Sequence, residues 1–426
     1  MKKLHWVDWV TLGVILLLTA LYALTLPDIP FHPDESTHIY MSEDISQNPL
    51  TLAWDGALPL GSEERIRAID APLAKYLIGA VREIFLISPT GSDWNWALDW
   101  EENQSQGALP TNKQLLFSRS VMTLLLPFSL WLLYLTFKKI MSSLPSLVAV
   151  TLLGLSPLLL LHARRAMSEG LLVFGIALLL WAVTRDKRNP WLIGLALGIA
   201  INAKHSALGL FPAAILAVVI LPEGFPGIKK GILNILKSSL IVLIAILLLN
   251  PFYWKHPLSA LEAGLKARFS LAEEQEEDYL GRLGLDEQPL MTTIPGLILN
   301  TYLTPPQTEE VGNYLAQTGE AKERYLSNPF HNWGRDLISG SILAAISFAG
   351  LGFAFWRFQD KDPWEKNNIL IIALAALGMG IFTIILLPWQ RYVLAILPFT
   401  FCWVGFGLAP IFKALQLSPS KSTQVK

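Results

Sequence analysis

Two adjacent carboxylates, Asp34 and Glu35, stand between two histidines in the stretch Phe31-His32-Pro33-Asp34-Glu35-Ser36-Thr37-His38-Ile39-Tyr40. The stretch follows the first long apolar run, Trp9 to Leu26. A carboxylate at such a place can take a proton from an acceptor hydroxyl as a general base. Pro33 followed by two acids is also an ordinary helix start, because proline presets φ and acids suit the positive end of the macrodipole. The two readings are compatible, since a helix start would hold the carboxylates in a fixed direction. On a helix, Asp34 and His38 lie one turn apart on one face. His32 and His38 could join the acids as metal ligands, but no fixed ligand spacing supports it.

Cations supply the second set of residues. Arg164 and Arg165 occur in His162-Ala163-Arg164-Arg165, with Ser168-Glu169 just beyond. Lys204 lies in Asn202-Ala203-Lys204-His205, Lys255-His256 follow Asn250-Pro251-Phe252-Tyr253-Trp254, and Arg391-Tyr392 follow Gln390. Each group falls in a short turn after an apolar run. A single cation there can snorkel or cap a helix end. Several facing one vestibule would suit a phosphate, which Arg and Lys bind through charge-assisted hydrogen bonds.

The elements that must position these residues are membrane helices. The chain of 426 residues is 52% hydrophobic and 16% charged, against about 25% charged in a typical soluble domain. Mean hydropathy is +0.43. Repeated apolar runs of about 20 residues indicate an all-α polytopic membrane protein. Spans are expected at 8–26, 116–137, 145–161, 169–184, 190–203, 206–221, 229–249, 336–356, 368–387 and 391–411. That is roughly ten helices, the fifth short for a hydrocarbon core of ~30 Å. Met1-Lys2-Lys3 is similar to a signal peptide's charged start, but the run behind it is long enough to span and lacks a small-residue cleavage site, so an uncleaved first span is expected. The single cysteine, Cys402, falls in a span and excludes an intramolecular disulfide. A net charge of −1 names no partner by itself; the bilayer is a partner, and no nucleic acid is expected.

Basic residues set the orientation. With the N-terminus inside, Lys2-Lys3, Lys138-Lys139, Arg185 with Lys187-Arg188, Lys229-Lys230, Arg357 with Lys361 and Lys366, Lys413 and Lys421 all fall inside. Residues 1–411 then form one membrane domain and 412–426 a cytoplasmic tail. Large loops at 27–115 and 250–335 fall outside. The first carries Asp34-Glu35 and the segment Pro72 to Phe85, whose apolar residues alternate with Lys75, Arg82 and Glu83, as in an interfacial amphipathic helix. Trp54, Trp94, Trp96 and Trp100 suit an interface too. In the second loop, Glu273-Glu274-Gln275-Glu276-Glu277-Asp278 reads as a solvated helix face, followed by a Pro-punctuated apolar segment from Ile294 to Leu303. The four cation-bearing turns fall on the outer face against the charge rule, and ionisable residues at membrane depth mark function.

With these residues in view, the chain resembles the polyprenyl-phosphate-sugar-dependent glycosyltransferases of the GT-C fold, especially the protein O-mannosyltransferase-like and lipid A aminoarabinose transferase-like enzymes. Those families carry an Asp-Glu pair after the first span, matched by Asp34-Glu35. A polar residue, prolines, a leucine and a lysine follow, similar to Asp70-Ala71-Pro72-Leu73-Ala74-Lys75. An arginine turn leading to an acid matches Arg164, Arg165 and Glu169, and a lysine among small residues matches Lys204 between Gly194 and Gly209. An Arg-Tyr before a Pro-containing span matches Arg391-Tyr392 with Pro398. The resemblance holds in this order to about residue 410. It departs at Ala71, where a second proline is usual, at Glu169, where aspartate is usual, and in the absence of an added luminal domain.

The resemblance implies transfer of mannose, another hexose or a modified pentose from a polyprenyl-phosphate donor to a protein, lipid or polysaccharide, on the outer face of a prokaryotic plasma membrane. A phosphate leaving group needs no general acid, so one carboxylate suffices, unlike the pair in glycoside hydrolysis. Asp34 is then the base, in a single inverting displacement, and Glu35 either supports it from behind or orients the acceptor. Arg164, Arg165, Lys204 and Arg391 become phosphate ligands, with Asp70 and His38 as helpers and Glu169, Tyr392, Lys75 and His256 also on the substrate side. A divalent Mg or Mn ion bridging phosphate and carboxylate is compatible with the family and not required by it. The alternative from another class is a transporter or flippase of polyprenyl-linked glycans. Large outer loops and the lack of a detectable repeat favour the enzyme.

Overall fold

The computed structural model describes residues 5–220, 227–283, 290–310, 312–360, 362–385, 387 and 389–417. Lys2-Lys3, Lys361, Lys421 and the tail beyond residue 417 lie outside the described residues. Among those described, the regular structure is helical and no strand occurs.

The first helix, α1 (Trp6–Leu24), leads into a loop built from α2 (Pro33–Met41), α3 (Ser62–Ile69), α4 (Leu73–Ile84) and α5 (Trp100–Ser105). Next come α6 (Asn112–Leu124) and α7 (Leu126–Phe137), which together form one apolar span of 26 residues. Five shorter helices follow: α8 (Ser143–Gly154), α9 (Pro157–His162), α10 (Ser168–Val183), α11 (Pro190–Ala203) and α12 (Phe211–Val219). A long helix, α13 (Ile228–Leu249), opens the second loop, made of α14 (Pro257–Leu283), α15 (Leu290–Tyr302) and α16 (Leu315–Ser327). The chain ends with α17 (Leu337–Trp356), α18 (Pro363–Ile385) and α19 (Leu397–Leu417).

All ten expected apolar segments are helical, but they are not ten equal spans. Six are long and apolar enough to cross a membrane: Trp6–Leu24, Asn112–Phe137, Ile228–Leu249, Leu337–Trp356, Pro363–Ile385 and Leu397–Ala414. The other four are shorter, and the expected span at 145–161 is broken between α8 and α9. Pro157 causes the break, because it has no N–H to donate and its ring clashes with the preceding turn. The carbonyls freed there are bound from elsewhere. Tyr22 donates its hydroxyl to Gly154 at 3.0 Å, and the Trp333 indole donates to Leu155. Backbone groups at membrane depth need such partners.

Helices approach closely where small residues permit it, as in membrane bundles generally. A Cβ at Gly194 of α11 would run into the Ser238 carbonyl of α13, so only glycine lets these two helices meet. The core around them includes Leu130, Leu153, Leu158, Ile176, Leu180 and Leu197, all essentially unexposed. On α13 the opposite face leaves Leu236, Leu240, Leu243 and Leu248 open, as a lipid-facing surface requires.

The two ends of the bundle differ. At one, Lys138 ion-pairs with Asp8 and Lys139 with Asp186, both among the residues expected inside or next to them. At the other, the two large loops meet. Arg65 of α3 reaches Glu274 of the acidic stretch in α14 at 2.7 Å, and Trp54 stacks on Phe252. Asn313 accepts from the Trp94 indole at 3.0 Å and donates to the carbonyls of Asn95 and Leu98.

Candidate active site

The site is assembled on the first turn of α2. His32 has extended backbone, and its ring accepts the Asp34 N–H at 3.2 Å. The Glu35 side chain accepts the His32 N–H, also at 3.2 Å, and Pro33 takes the first helical position. This reciprocal cap fixes the helix start. Successive residues on a helix point about 100° apart, so the neighbouring acids face different surroundings.

Glu35 is 0% exposed. Arg119 of α6 grips it with Nε and Nη2 at 2.7 and 2.6 Å, and the Ala166 N–H donates to it at 2.9 Å. Burial alone would raise its carboxyl pKa, but Arg119, together with the Arg165 charge and the Ala166 N–H, holds it below the ordinary value. Arg119 also donates to the Ile29 carbonyl at 2.9 Å. Glu35 therefore fastens three segments together. Of the two roles expected for Glu35, this enclosure suits a partner behind Asp34 and leaves it no face toward an acceptor.

Asp34 points the other way and keeps 30% of its side chain exposed. One oxygen is paired with Arg391 Nη1, and the other lies 3.9 Å from His32 Nδ1. Arg391 Nε is 3.1 Å from Glu310 of the second loop, and His32 Nε2 is 3.7 Å from the same carboxylate. Burial opposes the Asp34 charge, yet Arg391 and then His32 hold its carboxyl far below the usual range. Burial likewise works against the Arg391 charge, but Glu310 and Asp34 raise its pKa well above the ordinary value.

Lys204 supplies the second cation. It caps the end of α11 and pairs with Glu169, at the head of α10, at 2.5 Å. Tyr392 lies under both cations, 4.9 Å from the ammonium and 5.4 Å from the guanidinium. Trp389 flanks Arg391 at 5.0 Å. Asp34, Arg391, Tyr392, Lys204 and Glu169 thus belong to one constellation, with a carboxylate already opposite each cation. Several buried polar atoms in and around it, including His32 Nε2, Glu310 Oε1, Arg391 Nε and Glu169 Oε2, have no hydrogen-bond partner. Buried polar atoms are normally satisfied, so their concentration here suits a polar ligand.

The turn that presents Glu169 depends on one glycine. A Cβ at Gly170 would collide with the Ala163 carbonyl. Gly170→Val should therefore push Glu169 off Lys204 and lower any activity of the site by about tenfold or more, since small displacements of positioned groups are costly. Assay of the purified variant checks this, and wild-type activity would show that the turn tolerates the shift.

Other expected site residues lie elsewhere. Arg164 is fully buried against neutral groups: its Nη1 donates to the Tyr22 carbonyl at 3.1 Å and to Thr25 Oγ1 at 2.6 Å, and its guanidinium sits over the Tyr22 ring. It pins the end of α1 and is not placed to meet a phosphate. Arg165 is also buried and donates to the carbonyls of Pro30 and Thr308, behind the site. Lys75 is bound to Asp44 at 2.6 Å, which Arg67 also holds at 2.8 Å, so it braces α4 against the first loop. His256 packs beside Gly56 and Trp54, where the loops meet, and has no contact with Asp34. Asp70 caps the end of α3 and acts on Asp93 and His205 through its charge. His38 is buried one turn behind Asp34 and contributes to holding its carboxyl ionised.

Three residues were not anticipated. Arg119 had a signal, since it is a lone cation inside the expected span 116–137. Glu310 had none, being one of two acids in a loop. Asp93 is pushed up to about 6 by burial, against a hydrogen bond from Thr37, and the charges of Asp34 and Asp70 raise it further. Among the described residues no three His, Cys, Asp or Glu side chains are grouped to hold a metal ion. The Arg391 guanidinium occupies the place between Asp34 and Glu310 where a bridging cation would sit, so a divalent ion does not fit this arrangement.

A family model described as dolichyl-phosphate-mannose-protein mannosyltransferase matches residues 112–254. That stretch includes Arg119, Glu169 and Lys204 and leaves out Asp34, Glu310 and Arg391. No curated protein sequence matches the chain. The apo oligosaccharyltransferase of Archaeoglobus fulgidus superposes with a TM-score of 0.52 at 15% identity, covering 96% of this chain and 51% of that one. The same archaeal protein, AglB, in complex with an inhibitory peptide and a dolichol-phosphate gives 0.52 at 14% identity over the same shares. The S. cerevisiae Pmt1-Pmt2 complex bound to the sugar donor matches at 0.36 and 16% identity, over 64% of this chain and 33% of that one. The chain spans about half the length of the archaeal protein. The shared fold is the GT-C architecture, an all-helical membrane bundle with its loops gathered at one end.

Proposed function

We propose that the protein is a membrane glycosyltransferase that moves a sugar from a polyprenyl-phosphate donor to an acceptor hydroxyl, with Asp34 as general base. The observation that carries this reading is the part-exposed Asp34 paired with Arg391, beside Lys204 on the Tyr392 ring. It puts a proton acceptor and two cations for a departing phosphate in one cluster around Tyr392. In the reaction, the acceptor oxygen gives its proton to Asp34 and bonds to the anomeric carbon. The bond from that carbon to the phosphate oxygen breaks, its electron pair stays on the phosphate, and the configuration inverts. Arg391 and Lys204 stabilise the growing charge, where such preorganised partners contribute most. Arg391 must exchange Asp34 for the phosphate as this happens, which also returns basicity to Asp34.

The name of the matched family supports a mannosyl donor and a protein acceptor, and the dolichol-phosphate complex of the archaeal neighbour supports a lipid-linked donor. Gathering of the site at the end opposite Lys138 and Lys139 supports a site on the outer face of the membrane. The test is release of free polyprenyl phosphate from a labelled donor by purified protein in detergent, with no membrane to cross. No release, with transport activity in vesicles instead, would sink the enzyme reading. Within the assay, Lys204→Ala and Arg391→Ala should each raise the donor KM by about tenfold or more, with the acceptor KM nearly unchanged. Equal rises for both substrates would argue against phosphate binding by these cations.

A further inference from the structure

We infer that Glu310 is a positioning residue for the transfer step, holding Arg391 by its Nε edge so that its Nη edge serves Asp34 and then the donor phosphate. The inference rests on the reading just given. The Glu310 side chain is 5% exposed and faces Arg391 Nε with one oxygen, at 3.1 Å, and His32 Nε2 with the other, at 3.7 Å, both at ion-pair distance without a hydrogen bond. It therefore ties the cation to the residue that caps the helix bearing Asp34.

A guanidinium is planar, so fixing one edge fixes the direction of the other. The segment carrying Glu310 is itself locked to Arg391's neighbour. Gln390 accepts from the Gln307 N–H at 2.6 Å and donates to Thr304 Oγ1 at 2.9 Å and to the Pro305 carbonyl at 3.0 Å. The Glu310 N–H donates to the Tyr314 hydroxyl at 3.3 Å, and the Tyr314 ring stands edge-on to His32. Loop and cation thus form one unit.

Chemistry gives this unit a purpose. When the Nη edge moves from Asp34 to the phosphate, Glu310 keeps the guanidinium in place and charge-compensated. Without the Glu310 charge, Asp34 is left as the carboxylate paired directly with Arg391. The pair would close on itself, masking the base and withdrawing the cation from the leaving group. Glu310 contacts neither acceptor nor reacting atoms in this scheme; it acts through Arg391.

The experiment compares Glu310→Gln and Glu310→Asp with wild type in the full-length protein, reading kcat, both KM values, thermal stability and binding of sugar-free polyprenyl phosphate. Glu310→Gln should lower kcat by about tenfold or more and weaken polyprenyl phosphate, with the acceptor KM changed by less than about twofold. Glu310→Asp should recover most of the loss. Wild-type kcat in Glu310→Gln overturns the inference. So does a loss that follows a fall in Tm and is not recovered by Glu310→Asp, since that is packing alone. Failure of the wild type to transfer sugar from any polyprenyl-phosphate donor overturns the glycosyltransferase reading instead. Binding then tests the hold of Glu310 on the Arg391 cation by itself: weaker binding in Glu310→Gln, recovered in Glu310→Asp, upholds that hold, and equal binding overturns it.

Discussion

Asp34→Asn lowers sugar transfer by roughly 10²–10⁴-fold, the usual contribution of a general base, and leaves the protein in the membrane at normal abundance. The amide has the shape of the carboxylate but cannot take the acceptor's proton. Folding should tolerate the change because Asp34 is part-exposed and Arg391 retains Glu310 at 3.1 Å. The sign of its electrostatic contribution is clear. Its folded pKa is depressed, so the ionised form stabilises the fold above the unfolded value of about 3.9, and that stability is lost as pH falls through the folded value. At neutral pH the variant forgoes this contribution, which solvent screening of a group 30% exposed keeps small. Initial rates with labelled donor, together with quantification in the membrane fraction, check both halves. Near-normal transfer would remove Asp34 from the mechanism.

Glu35→Ala, one residue away, should have the opposite phenotype. It strands the buried Arg119 guanidinium and frees the Ala166 N–H. Removing one partner of a buried ion pair costs about 3–5 kcal/mol, because an uncompensated charge remains inside. The loss appears as a lower unfolding temperature in detergent and as poor accumulation in the membrane. Glu35→Gln, which preserves shape and some hydrogen bonding, should fall between. An unchanged unfolding temperature for Glu35→Ala would show that Arg119 finds another partner or water.

The contrast between these neighbours marks how far the sequence was legible. Apolar runs located the helices well, because lipid-facing and core-facing residues alike must be apolar. They did not reveal that Pro157 splits one span, whereas the shortness of α11 was already legible in the run 190–203. The placement of Asp34, Lys204 and Arg391 together follows from the alternation of helices across the bundle. Which of two adjacent acids stays open depends on what the helix turns each toward, and the partner that encloses Glu35, Arg119, is supplied by a distant helix. Arg164 and Arg165 shared the sequence environment expected of phosphate ligands. Their burial against backbone carbonyls depends on how α1 and the second loop pack on that turn. Glu310 was illegible because its loop has no periodicity to orient it.

The short helices have a consequence for the choice of donor. Lys204 and Glu169 stand at the tops of α11 and α10, helices of 14 and 16 residues, hence roughly 21 and 24 Å tall at 1.5 Å per residue. A hydrocarbon core of ~30 Å overtops both. With the opposite ends of both helices at the inner edge of that core, Lys204 and Glu169 would lie below the plane where water begins. A sugar phosphate anchored by a lipid tail can drift sideways through the bilayer into such a depression, its headgroup pulled down only a short way. A donor dissolved in water has no tail to hold it at that depth. Under the proposed function, helix length would thus favour a donor that travels within the bilayer.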